Sequence, residues 1–179
     1  IFGKFETKEY IPFNYDHEIP YELIDKDTCV FMADISVQNK DKLKIAEMAK
    51  SFIWMDHHDT AIKEYEKLTA DEKAKFTAHL TTSKAACEIV WETFHPGVQN
   101  EAVRLVGTYD SWRIGEDWET KVIPFKFGIE AVCNSMSTFD FSLLKNTEHH
   151  DKILLNMKIA SYIQNGEIIQ KYVKTKNEY

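Results

Sequence analysis

Two short apolar runs, each ending in a carboxylate and separated by one amphipathic stretch, constrain the fold of this chain more than anything else in it. Thr28-Cys29-Val30-Phe31-Met32 leads to Asp34, and Ser51-Phe52-Ile53-Trp54-Met55 leads to Asp56-His57-His58. Both runs have strand length and strand composition. Between them, residues 39–50 predict a helix with Leu43, Ile45, Ala46 and Ala49 on its apolar face and Lys40, Lys42, Lys44 and Lys50 over the rest. Strand, helix, strand is the βαβ pattern, whose crossover is right-handed in nearly all cases. The two strands are then parallel, with Asp34 and the Asp56-His57-His58 cluster on one edge. Open α/β sheets bind ligands at the carboxyl ends of their strands. Imidazoles and carboxylates gathered there are ligands for divalent transition metals, and a cation offsets the repulsion between neighbouring acidic strand ends.

Composition is compatible with this reading. A chain of 179 residues has the usual length of one domain, and its six Gly and four Pro leave little room for an internal linker. The formal net charge of −7 argues against a basic face for long nucleic acid. No apolar run approaches the roughly 18 residues of a membrane span, and no leader peptide is visible, so a cytoplasmic protein without membrane attachment is expected. Cys29, Cys87 and Cys133 are odd in number and scattered through apolar surroundings. They read as reduced core residues.

Three ordered motifs now carry a resemblance. Met32-Ala33-Asp34-Ile35-Ser36, then Trp54-Met55-Asp56-His57-His58-Asp59-Thr60, then Gly107-Thr108-Tyr109-Asp110-Ser111-Trp112 resemble successive motifs of the DHH phosphoesterases, a family named for the triplet. Thr82-Ser83-Lys84-Ala85-Ala86-Cys87-Glu88 is similar to the helix start that follows the triplet there. The Tyr-Asp-Ser-Trp form is most similar to the nanoRNase, or oligoribonuclease, branch. The resemblance implies a two-metal, usually manganese-dependent hydrolase, with magnesium or cobalt as other cations the ligands would accept. It implies Asp34, His57 and Asp110 as metal ligands, Asp34 bridging the two ions. His58 would face the substrate phosphate, Asp56 would orient a ligand from behind, and Arg113 could reach a substrate phosphate or serve as an ordinary ion-paired arginine. The implied substrate is a short oligonucleotide or a small phosphate ester. The alternatives are pyrophosphate or phosphomonoester hydrolysis, or an inactive domain that binds nucleotide or a protein.

The family's opening Asp-x-Asp motif has no counterpart here. Residues 1–5 resemble the end of the helix that follows it, and residues 9–15 resemble the second strand. The chain is therefore read as a single Rossmann-like α/β domain, residues 1–179, with a mainly parallel sheet and helices on both faces. That domain would lack its first motif and the substrate domain beyond it. Residues 116–179 are a helical connecting region, with helices over 124–136 and 151–172 and a break at Asn165-Gly166.

Other features carry structural expectations. Thr69-Ala70-Asp71-Glu72 predicts a capping box, and Ser83 the cap of a helix over 84–94 that turns Ala86, Ile89, Val90 and Thr93 to the sheet. Trp112 reads as a core aromatic, with base stacking as the other possibility. Glu148-His149-His150-Asp151 copies the triplet without a strand before it and opens a helix. His17, His79 and His95 are isolated and read as surface or structural residues.

Overall fold

The computed structural model describes residues 10–132, 141–144 and 149–176. The chain divides into two compact units, Ile1–Pro96 and Gly97–Tyr179.

The first unit is built on a parallel sheet in the order β1-β2-β3, with β1 at Cys29–Ala33, β2 at Ser51–Asp56 and β3 at Thr77–Leu80. Cys29 pairs with Ser51 and Ala33 with Met55, while Asp56 pairs with Leu80, so all three carboxyl ends lie on one edge. Helix α1, Asn39–Met48, makes the crossover between β1 and β2. Helices α2, Asp59–Glu66, and α3, Ala70–Lys73, connect β2 to β3, and α4, Ala86–Phe94, follows β3. Because side chains alternate along a strand, the sheet has two covered faces. Val30, Met32, Phe52 and Trp54 pack with Ile45 of α1 and Ala61 of α2 in one cluster. On the other face Phe31 meets Phe94 of α4 edge to face, with ring centroids 5.5 Å apart. The result is the expected Rossmann-like α/β arrangement of three layers.

Several local expectations are corrected. Residues 10–15 form no strand; they run irregularly into a turn in which the His17 N–H donates to the Asn14 carbonyl. Residues 1–9 lie outside the described residues. Ser83 does not cap α4. The helix starts at Ala86 after Ala85, whose N–H donates to Oε2 of Glu88 at 3.0 Å, while Ser83 bonds to Thr81 instead. Cys87 is exposed rather than buried. The capping box at α3 is present: Thr69 Oγ1 accepts from the Glu72 N–H at 3.3 Å, and Glu72 Oε2 accepts from the Thr69 N–H at 2.8 Å.

The second unit packs α5, Glu101–Asp110, a π-helical turn at Trp118–Val122, α6, Ile123–Val132, and α7, His149–Lys176. Leu105, Trp118, Val122, Phe125, Leu143 and Ile159 are central to its core. Asn100 caps α5, accepting from the Val103 N–H at 3.1 Å and donating to the Leu143 carbonyl at 2.8 Å. Residues 133–136, predicted to extend α6, lie outside the described residues, as does Cys133. Helix α7 starts at His149, two residues before the prediction, and the side chains of 149–154 also lie outside the description.

The break expected at Asn165-Gly166 does not occur, and α7 runs through it. Gly166 is there for close approach. A Cβ at that position would sit 1.6 Å from the Pro124 carbonyl oxygen, and one at Gly128 would sit 1.9 Å from the Tyr162 carbonyl oxygen. Helices α6 and α7 therefore meet backbone to backbone, which only residues without a side chain allow. Among the described residues no helix is long and apolar enough to cross a membrane.

Candidate metal centre

Strand geometry brings four of the sequence-predicted residues to one place. Asp34 follows β1 and stays tied to β2, its N–H donating to the Met55 carbonyl at 3.0 Å. Its φ of 62° is left-handed, a conformation that Asp tolerates better than most residues and that swings it out of the strand. The Asp34 carboxylate is exposed, and its Oδ1 lies 3.2 Å from Nε2 of the largely buried His57 ring. The His57 and His58 rings are neighbours, with centroids 4.5 Å apart. Ligand atoms of Asp34, His57 and His58 all lie within 4.8 Å of one another.

Asp56 stands behind them, 0% exposed. Its Oδ1 accepts from the N–H groups of His57 (2.7 Å) and His58 (3.1 Å) and lies 2.7 Å from His58 Nδ1. That bond fixes the His58 ring. Carboxylate to imidazole to ligand is how outer residues usually hold a metal-binding histidine in one tautomer. Three donors on one oxygen also hold the backbone of the triplet rigid.

Asp34 and His57 have the spacing of two ligands to one divalent cation. Ligand atoms about 2.1 Å from a common centre lie about 3.0 Å apart in an octahedron and about 3.4 Å apart in a tetrahedron. The 3.2 Å between Asp34 and His57 falls in that interval. A carboxylate with imidazoles suits manganese, iron, cobalt or zinc. A groove of about 650 Å³ runs between β3 and α4, with Thr81, Ser83 and Thr93 among its walls. The Thr81 N–H donates to the Asp56 carbonyl at 3.3 Å, which ties the groove to the triplet.

One residue of this region was missed. Lys42 is expected among the positions of α1 outside its apolar face, yet it is 0% exposed. Its Nζ lies 3.8 Å from the centre of the Trp54 ring and 3.4 Å from Asn39 Oδ1. Burial pushes this ammonium down to about 8, opposed by the negative charges of Asp56 and Glu64. Asp56 Oδ2 is buried and has no hydrogen-bond partner among the described residues, so Lys42 supplies opposite charge to a carboxylate that is satisfied on one oxygen only. The signal was in the spacing: 42, 45, 46 and 49 form one helical stripe, and a lysine in an apolar stripe is buried with it.

This lysine makes stability depend on pH. In the unfolded chain its pKa is near 10.5, so between about pH 8 and 10.5 the unfolded state binds the proton that the folded state has released. Folding stability should therefore rise with pH across the lower part of that window. Urea midpoints at pH 7.5 and 9.5 are expected to increase in the parent chain and to stay level in Lys42→Met. Equal midpoints in the parent would contradict the depressed ammonium.

Asp110 and Arg113 belong to the second unit, where Asp110 is the last residue of α5 and Arg113 donates to Thr108 Oγ1 at 3.3 Å. His79 is exposed on β3, and His95 stacks on Trp91 at 4.2 Å. The first unit is thus a parallel α/β sheet with a carboxylate and two imidazoles gathered at the carboxyl ends of its strands. Comparison of the chain with protein-family models, with curated proteins and with solved structures returned no match.

Proposed function

We propose that this protein is a metal-dependent phosphoesterase that hydrolyses phosphodiester bonds in short oligonucleotides or related nucleotides. The observation that carries the reading is the convergence of Asp34, His57 and His58 on one sheet edge with Asp56 buried behind them. The ordered motifs around Asp34, the triplet and Asp110 supply the reaction class.

Each residue then has a physical task. Asp34 and His57 would hold the cation, Asp34 contributing the negative charge. His58, fixed through Nδ1, presents Nε2 to a non-bridging phosphate oxygen and can donate a hydrogen bond to it when protonated. Asp56 keeps that imidazole oriented. A bound divalent cation supplies charge stabilisation to oxygens around phosphorus and makes nucleophilic hydroxide available near neutral pH. The net charge of −7 is compatible with a small anionic substrate, since the metal itself attracts phosphate.

The test is hydrolysis of a dinucleotide with manganese and after chelation. Cleavage that is lost with chelator and returns with manganese, and that falls by about 10²-fold or more in His58→Ala, is the expected result. Turnover of pyrophosphate but not of the dinucleotide would move the reading to the other chemistry. No turnover of either, with no manganese bound, would sink it.

A further inference from the structure

Helix α5 closes with two bonds, from the Trp112 N–H to the Tyr109 carbonyl and from the Arg113 N–H to the Thr108 carbonyl, each 3.1 Å. With Ser111 as the C-cap, this pair defines a Schellman motif. The motif needs left-handed backbone at the next residue, a place usually taken by glycine. Here it is Trp112, at φ 51°. For a bulky residue that conformation is strained.

Burial does not compensate for the strain, because Trp112 is 68% exposed and Ile114, two residues on, 70%. What the indole does have is alignment. Its ring lies 6.1 Å from the Tyr109 ring at 28° and 5.9 Å from the Trp118 ring at 32°. Tyr109 and Trp118 stack on each other at 5.8 Å and 8°. Two rings are anchored by the core and the third continues their orientation at the surface.

We propose that Trp112 is a stacking platform for a nucleobase. Trp112 stacks on Tyr109 and is tilted 32° to Trp118, so the three rings form no cage, whereas an ammonium ligand is enclosed by aromatic walls set at steep angles. A patch one indole and one isoleucine wide is also far smaller than the roughly 800 Å² per side of a stable protein interface. It fits one flat ring. That the ring is a base rests on the phosphoesterase reading above; that there is a platform rests on the exposed, strained and aligned indole. Stacking accepts every base, so the contact would hold a nucleotide without selecting its sequence.

Trp112→Gly tests this without endangering the fold, because glycine is what the cap prefers. Adenosine monophosphate is titrated with metal chelated, following the indole N–H resonances. The Trp112 resonance of the parent chain is expected to shift and saturate. Trp112→Gly should bind roughly tenfold or more weakly, Trp112→Phe should retain most of the affinity, and the thermal midpoint of Trp112→Gly should equal or exceed the parent's. A Trp112 resonance that ignores the nucleotide, or a glycine variant that binds as the parent does, overturns the platform. Dinucleotide hydrolysis is measured on the same samples: base binding at Trp112 without any hydrolysis removes the phosphoesterase reading and leaves the platform standing.

Discussion

Asp34→Ala is expected to abolish measurable manganese binding, and His57→Ala to do the same. These residues provide a carboxylate oxygen and an imidazole nitrogen 3.2 Å apart at one strand edge, and Asp34 contributes the negative charge. Losing a residue that only orients a ligand typically lowers metal affinity 10–100-fold, so losing a ligand should exceed that. Asp56→Ala, which removes the acceptor that holds the His57 backbone N–H, belongs in the smaller range. Asp34→Asn is the safer control for folding, because Asn also tolerates left-handed backbone, and it should weaken binding in the same direction. Calorimetric titration with manganese reads all four variants. Unchanged affinity in Asp34→Ala would remove Asp34 from the metal centre and with it the basis of the proposed chemistry.

Gly166→Ala should be strongly destabilising to the second unit. In an exposed helix interior the change from Gly to Ala is worth about 1 kcal/mol of stabilisation. Here the new carbon would lie 1.6 Å from the Pro124 carbonyl oxygen and 2.8 Å from the Gly128 nitrogen, both backbone atoms that no rotamer change can move. Overpacking of this kind costs about 3 kcal/mol or more and outweighs the gain in propensity. For a chain of this length that corresponds to a fall in thermal midpoint of roughly 6–12 °C. Gly128→Ala, at 1.9 Å from the Tyr162 carbonyl oxygen, should behave alike. Gly115→Ala has nothing within 4 Å and should change stability by no more than about 0.5 kcal/mol. A midpoint raised by Gly166→Ala would mean that α6 and α7 do not make this contact.

How much of this was legible in the sequence depended on whether one physical signal acted alone. The runs at 28–32 and 51–55 became β1 and β2 within a residue or so, because continuous apolar stretches bounded by polar residues have few other solutions. Asp34, Asp56, His57 and His58 could be placed because they follow those strands directly. Strand β3 escaped notice: Thr77-Ala78-His79-Leu80 is short and half polar, and its place in the sheet is set by pairing with β2. Lys42 was misplaced because its charge was weighed above its helical spacing. Asn165-Gly166 looked like a helix break because glycine lowers propensity, and only the backbone of α6 explains it. Ser83 looked like a cap, but Glu88 had already satisfied the N–H at Ala85. Trp112 was read as core because strain at a helix terminus leaves no mark in composition.

Ala33 and Met55 are the last paired residues before the two halves of the proposed metal centre. Asp34 is one residue beyond the first and Asp56 one beyond the second, so their separation is a property of strand alignment. A slip of a single residue would displace Asp34 by about 3.3 Å and turn its side chain to the opposite face. Metal coordination tolerates errors of about 0.2 Å. Cation affinity is therefore a gauge of how the sheet has been assembled: a misaligned β1 could pass for folded by helix content and still be unable to hold an ion.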